Sequence, residues 1–121
     1  MRLRNFLIAV RDIERSRQFY QELFDMTVLK DFGDNVILAG GLVLQERSQW
    51  EQLTGKESVP GYDGELFFET GNLDGFLQKL DACGGAVTVL REVRVNAWGR
   101  RAVLLADPDG HVIEVADDYS N

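Results

Sequence analysis

Short apolar segments alternate with a few longer amphipathic ones, and their order predicts a mixed α and β protein. Residues 3–10 are mostly apolar and too few for a buried helix, so they predict a buried strand. Residues 13–24 instead place apolar side chains at helical spacing, and Asp12 before them is a typical N-cap. Three short strands, separated by glycine-containing turns, follow at residues 26–32, 36–39 and 42–46. The first part of the chain is therefore predicted to be a β-α-β-β-β module.

The same order of elements begins again after a stretch with several glycines and few periodic apolar positions. That stretch, about residues 48–63, is predicted to be a linker with one helical turn that carries Trp50. A strand at 65–70 and a helix capped by Asn72 come next, and the buried face of this helix is predicted to include Cys83. The last strands are predicted at residues 86–90 (extending to 95), 101–106 and 111–116.

Two alignments of the chain with itself support the repeat. The segment beginning at Asn5 matches the segment beginning at Glu65, and the strand that holds Gln45 matches the strand that holds Glu114. Each match aligns a strand together with the cap or glycine turn beside it. The predicted single domain spans residues 1–121, with module 1 at about 1–47 and module 2 at about 64–121.

The charge balance and the single cysteine limit the partners and the cellular location that can be expected. Asp and Glu number 20 against 13 Lys and Arg, a net charge of −7 that repels nucleic acid and anionic membranes. The acidity either keeps the protein dissolved or favours a cationic ligand. One cysteine cannot form an internal disulfide, no apolar run suits a membrane span, and no secretory signal is expected, so a cytoplasmic location is predicted.

Three segments carry a resemblance to a known family. Residues 107–115, DPDGHVIEV, resemble the closing hairpin of the vicinal oxygen chelate superfamily, which includes glyoxalases, extradiol dioxygenases and bleomycin-resistance proteins. Residues 6–10, FLIAV, followed by Asp12 and an aromatic helix, are similar to its first strand and helix. Trp98 and Gly99, which precede the penultimate strand, also resemble a Trp-Gly pair found in many members of the family. The resemblance implies two βαβββ modules that form a cupped eight-stranded mixed sheet with the helices outside, an α+β fold of glyoxalase type.

The resemblance also implies four slots for a divalent metal ion, at Asn5, Gln45, Glu65 and Glu114. Members of the family usually have histidine in the first and third slots, whereas the only histidine here, His111, lies three residues before Glu114 and faces the other side of its strand. Two amides and two carboxylates suit a hard cation such as magnesium or manganese, and not zinc or nickel. The sequence leaves open whether any metal binds.

Without a metal, Glu65 and Glu114 are expected to share the floor of the cavity. At about 5 Å and an effective dielectric of about 20 they would repel each other by about 3 kcal/mol, which corresponds to roughly two pKa units. One carboxyl group would then stay protonated near neutral pH and act as a general acid or base. The alternative is that Asn5 or Gln45 hydrogen-bonds the carboxylates and the floor is only structural.

Four further residues are candidates for ligand binding. Trp98 and Trp50 would line a cavity for a planar or apolar ligand, or else pack between the modules. Arg94 and Arg101 would hold an anionic group of a substrate, or else lie solvated at a strand edge.

Two functions from different classes follow. One is a small-molecule lyase or isomerase of glyoxalase type acting on an oxygenated substrate, with Glu65 and Glu114 as catalytic residues. The other is a metal-free protein of the bleomycin-resistance kind that sequesters a cationic ligand, and an accessory domain without chemistry is a third possibility. A homodimer is expected, because open sheet edges are commonly covered by a two-fold partner.

Overall fold

The computed structural model describes residues 1–83, 87–96 and 99–118 of the 121. Its contacts divide the chain into two compact units, Met1–Val59 and Pro60–Asn121, with one module in each. The elements are β1 (Phe6–Val10), α1 (Ile13–Phe24), β2 (Val28–Asp31), β3 (Asn35–Leu38), β4 (Leu42–Glu46), α2 (Arg47–Thr54), β5 (Glu65–Thr70), α3 (Leu73–Ala82), β6 (Thr88–Val95), β7 (Arg101–Ala106) and β8 (Val112–Asp117). No helix in the described ranges is both long and apolar enough to cross a bilayer.

Each unit contains one four-stranded mixed sheet, and the two sheets have the same topology. The strand order is β1-β4-β3-β2 in the first sheet and β5-β8-β7-β6 in the second. The first and last strands of each module are parallel neighbours, and the other pairs are antiparallel. A parallel pair needs a crossover, which begins with the helix after the first strand. The predicted α+β fold of two βαβββ modules is therefore confirmed, with its eight strands hydrogen-bonded as four and four.

The predicted N-caps are also confirmed. Asp12 Oδ1 accepts a hydrogen bond from the backbone N–H of Arg15 at 3.0 Å, and Asn72 Oδ1 accepts one from that of Gly75 at 3.0 Å. Each cap satisfies one of the N–H groups that the first turn of a helix leaves unpaired. The two helices thus begin where the local sequence predicts.

Three details differ from the sequence prediction. The helical turn in the linker is a helix, α2, of eight residues, capped by Glu46, whose carboxylate accepts from the first backbone N–H groups. Strand β1 begins at Phe6 and not at residue 3. The prediction that Cys83 is buried is wrong: α3 ends at Ala82, so Cys83 is its exposed C-cap, beyond the stripe that buries Leu73 and Leu80.

Gly61 lies where the loop before β5 passes the turn before β8, and we expect its replacement by alanine to be strongly destabilising. Its φ is +75°, and a Cβ there would overlap the backbone oxygen of Gly110. Gly55 is a matched control, because its φ is +71° but a Cβ at this position would have no atom within 4 Å. Gly55→Ala should cost about 1–2 kcal/mol for the left-handed backbone alone. Urea denaturation should show a clearly larger loss for Gly61→Ala, and equal losses would contradict the clash.

Candidate functional site

Two carboxyl groups meet on one face of the second sheet. In the parallel pair of β5 and β8, Glu65 lies opposite Val112 and Phe67 lies opposite Glu114. Because side chains alternate along each strand, Glu65, Phe67 and Glu114 project from the same face. The side chains of Glu65 and Glu114 lie close enough for their interaction to raise the pKa of Glu65. The structure thus brings together the two residues that the sequence proposes as the catalytic pair.

We call this side of the second sheet the open face; it carries Glu65, Phe67, Glu69 and Glu114, and the pairing of β6, β7 and β8 places Arg91 and Arg94 on it as well. Helix α3 covers the opposite face of the sheet, where Arg101 bonds to Asp74 of the helix. Phe67 is 48% exposed. The carboxyl pair is therefore accessible from solvent.

The environment of Glu65 favours its neutral form. Partial burial, a hydrogen bond that the protonated form of Glu65 donates to Glu114, and the charge of Glu114 together raise the pKa of Glu65 to about 6. A hydrogen bond between two carboxyl groups needs one proton, because two carboxylates can only accept. Near pH 6 the pair therefore offers one acid and one base side by side.

The raised pKa of Glu65 predicts a pH dependence of stability. A group whose pKa is higher in the folded protein, here about 6 against 4.5, stabilises the fold below pH 4.5 and loses that contribution as the pH rises through 6. Glu65→Gln cannot titrate. We therefore expect the wild type to lose unfolding free energy relative to Glu65→Gln between pH 4.5 and 6, measured by denaturation at several pH values. A constant difference across this range would contradict the raised pKa.

An ion pair lies beside the carboxyl pair, toward the end of β5. Arg100 Nη1 donates to Glu69 Oε2 at 2.5 Å and to the backbone oxygen of Asp117 at 2.9 Å. The guanidinium carbon of Arg100 lies 5.5 Å from the centre of the Phe67 ring, within range of a cation–π contact. Phe67 thus stands between a carboxyl pair and a guanidinium group.

The motif 107–111 forms the turn that leads into β8. Asp107 is buried, and its Oδ1 accepts from the backbone N–H groups of Asp109, Gly110 and His111 at 2.9–3.0 Å. Its Oδ2 lies 2.8 Å from His111 Nδ1. Asp107, Asp109 and His111 lie close enough to hold an ion. Four hydrogen bonds already occupy the Asp107 carboxylate, so its role here is to fix the turn.

Comparison with known proteins identifies the family of the chain. The family model of the glyoxalase-like domain matches residues 3–120. The chain belongs to the glyoxalase-like domain family. The resemblance to the vicinal oxygen chelate superfamily is thereby confirmed, and it extends over nearly the whole chain.

Solved glyoxalase-like structures share the fold. A protein of unknown function from Agrobacterium tumefaciens is 33% identical over 98% of this chain and 94% of its own, with a TM-score of 0.83. A glyoxalase/bleomycin resistance protein/dioxygenase family enzyme from Burkholderia phytofirmans is 20% identical over 97% and 98%, with a TM-score of 0.83. A glyoxalase-related enzyme from Fulvimarina pelagi is 21% identical over 97% and 88%, with a TM-score of 0.77. No curated protein matches the chain.

In this glyoxalase-like protein, Gln45 belongs to an amide network of the first module. Its Oε1 accepts from Asn35 Nδ2 at 2.7 Å, and its Nε2 donates to Gln49 Oε1 at 2.9 Å and to the backbone oxygen of Asp34 at 3.2 Å. Gln49 in turn donates to the Asp34 carboxylate. The network fastens α2 to the loop between β2 and β3, so the side chain of Gln45 holds structure together.

The four metal slots implied by the family therefore do not fit an ion as one set. The amide of Gln45 is occupied by its neighbours, and Asn5 is an exposed residue ahead of β1. Glu65 and Glu114 are oxygen donors of the type that hard cations prefer, and magnesium is commonly held by one or two carboxylates with water in its other positions, so these two residues are the ones that would hold such an ion. Proton transfer by the two carboxyl groups does not require a metal ion.

The structure does not place Arg101 beside the carboxyl pair. Its guanidinium bonds to Asp117 at 3.0 Å and Asp74 at 2.9 Å on the helix-covered face, and these partners raise the pKa of Arg101 further. Arg94, on β6, lies opposite Ala102 of β7 and is exposed. Trp50 is half-buried on α2 in the first unit, and Trp98 lies outside the described residues.

A cavity of about 370 Å³ lies between α3 and β6, on the helix-covered side of the second sheet. Aliphatic side chains form most of its wall, including Leu77, Leu80 and Val103, and the carboxylates of Asp81 and Glu92 also line it. It contains none of the residues proposed from the sequence. The chemistry-bearing groups are thus concentrated on the open face.

Sequence reasoning missed Phe67 as a site residue. The available signal was the alternation of Glu65, Phe67 and Glu69 along one strand, which places the ring between two acidic side chains.

Proposed function

We propose that the protein is a small-molecule lyase or isomerase of glyoxalase type, which moves a proton on an oxygenated substrate at the Glu65–Glu114 pair. The observation that supports this is the carboxyl pair on the open face, in which the pKa of Glu65 is raised to about 6. Perturbed carboxyl groups on an accessible face are typical of acid–base sites. We place the protein in the cytoplasm, as a homodimer.

The pair can carry out both halves of an enolisation. Ionised Glu114 takes the proton from the carbon next to a carbonyl group, and protonated Glu65 gives its proton to the carbonyl oxygen. The product is an enediol when the substrate is an α-hydroxy ketone. Glu114 then gives its proton to the former carbonyl carbon, while ionised Glu65 takes the proton of the other hydroxyl group, so a new carbonyl group forms and both residues return to their starting states. A pKa near the working pH suits both directions of transfer.

Hydrogen exchange on a simple probe tests this proposal. We expect the protein to speed the replacement of the α-hydrogens of hydroxyacetone by deuterium in D2O, followed by proton NMR. The rate should change around pH 6, where Glu65 titrates. A rate equal to that of buffer with an equal concentration of free carboxylate would overturn the proposal.

A second candidate is a binding protein that sequesters a cationic ligand. The exposed ring of Phe67 beside two carboxyl groups favours it, because a cation with an apolar part would satisfy both. Benzylamine distinguishes the two functions. Tight binding of benzylamine, together with no exchange on hydroxyacetone, would favour sequestration.

A further inference from the structure

The open face contains an aromatic platform that the acid–base chemistry does not use. Phe67 lies directly across from Glu114 and two residues from Glu65 on the same side of β5. Neighbouring strands are about 4.8 Å apart, and two residues along a strand span about 6.6 Å. A molecule the size of a substituted benzene ring can therefore touch Phe67 and the carboxyl pair at once.

The ring of Phe67 is held in place from one side. Arg100 is mostly buried, and its guanidinium group lies 5.5 Å from the ring centre while it bonds to Glu69. Phe67 as a whole is 48% exposed, so Arg100 leaves part of it accessible to solvent. A half-exposed phenylalanine in the middle of a strand, braced by a buried arginine, is preorganised to receive a flat group.

We propose that Phe67 determines specificity, and that the site selects an oxygenated molecule whose carbonyl group is joined to a planar aryl group. This proposal rests on the proposed function, since it names the class of substrate for the same site. The aryl group stacks on Phe67, and the carbonyl group with its neighbouring C–H reaches Glu65 and Glu114.

Charges of both signs project from the open face. Besides Glu65, Glu69 and Glu114, this face carries Arg100, which bonds to Glu69 and to the Asp117 carbonyl group, and the exposed residues Arg91 and Arg94 on β6. The charges therefore do not decide between a neutral and an anionic substrate, and the proposed selection depends on the aryl group. An aliphatic substrate would reach the carboxyl pair but leave the ring exposed.

Two probes test the selection by ligand-observed NMR titration at pH 7. We expect 2-hydroxy-1-phenylethanone, an aryl ketone, to bind about tenfold more tightly than hydroxyacetone, because it adds an aromatic contact to the same α-hydroxy ketone. Equal binding of the two ketones would overturn the proposal.

Variants at Phe67 and at its neighbour Phe68 test whether the Phe67 ring causes the preference for the aryl ketone. Phe67→Leu should reduce the preference for the aryl ketone to less than about threefold, and Phe67→Tyr should keep it. Phe68→Leu is the control, because Phe68 is the next residue on β5 and projects from the helix-covered face. It should keep the preference. An unchanged preference in Phe67→Leu, or an equal loss in Phe68→Leu, would contradict the proposal.

Failure of this proposal can be told apart from failure of the proposed function. If exchange on hydroxyacetone depends on Glu114 but the aryl ketone is not preferred, the proposed function is supported and the proposed specificity is wrong. If the preference for the aryl ketone depends on Phe67 but no exchange is catalysed, the aryl site is supported and the proposed function is wrong.

Discussion

Replacing Glu114 by glutamine is expected to slow the exchange of α-hydrogens on hydroxyacetone by about 10²–10⁴-fold, the usual contribution of a general base. Glutamine keeps the shape of the side chain but cannot take a proton. Ligand binding should also weaken, by about 1–3 kcal/mol, because a charged hydrogen bond is lost. The exchange rate is measured by NMR and the binding by titration.

The pH profile separates a catalytic role from a structural one. Removing the charge of Glu114 removes one cause of the raised pKa of Glu65, so any residual rate should titrate at lower pH. Glu92→Gln, an exposed carboxylate on β6, is the control and should keep the wild-type rate. A sharp fall in the melting temperature of Glu114→Gln with unchanged ligand affinity would mean that Glu114 is structural.

Replacing Asp107 by alanine is expected to destabilise the protein by at least about 3 kcal/mol, since hydrogen bonds to a charged group are each worth about 1.5–3 kcal/mol. The carboxylate accepts from three backbone N–H groups; those of Asp109 and His111 would lose this partner, whereas that of Gly110 would keep its bond to the backbone oxygen of Asp107. Urea denaturation measures the loss.

Two milder variants test that explanation. Asp107→Asn keeps an oxygen that can accept from the backbone, so it should lose less than Asp107→Ala. His111→Ala removes only the contact of the imidazole with Oδ2, and its loss should be smaller than that of Asp107→Ala. Similar losses in all three variants would show that the hydrogen bonds to the backbone are not what fixes the turn.

Features that depend on neighbours in the sequence could be predicted. Asp12 and Asn72 cap helices through the backbone three residues ahead. The pairing of Glu65 with Glu114 could be placed as well, because the family resemblance assigned both residues to slots of one cavity.

Features that depend on contacts between distant segments could not be predicted. Helix α2 has little apolar periodicity, and the contact of Gln49 with Asp34, 15 residues away, helps to hold it. Arg101 was proposed for a substrate because it is a strand residue near Trp98, yet its partner Asp74 is 27 residues away on α3. The exposure of Phe67 likewise depends on which face of the sheet the helix covers.

Because of the amide network around Gln45, the equivalent positions 45 and 114 of the repeat are not equally free to change. Gln45 and Glu114 occupy equivalent places in the repeat, and the amide of Gln45 holds the helix that directly follows its strand. A carboxylate at position 45 could no longer donate to Gln49 and to the backbone oxygen of Asp34. A change of chemistry at position 45 would therefore loosen α2, so we expect the glutamate of the second module, and not its counterpart in the first, to be the place where the chemistry of this fold can be altered.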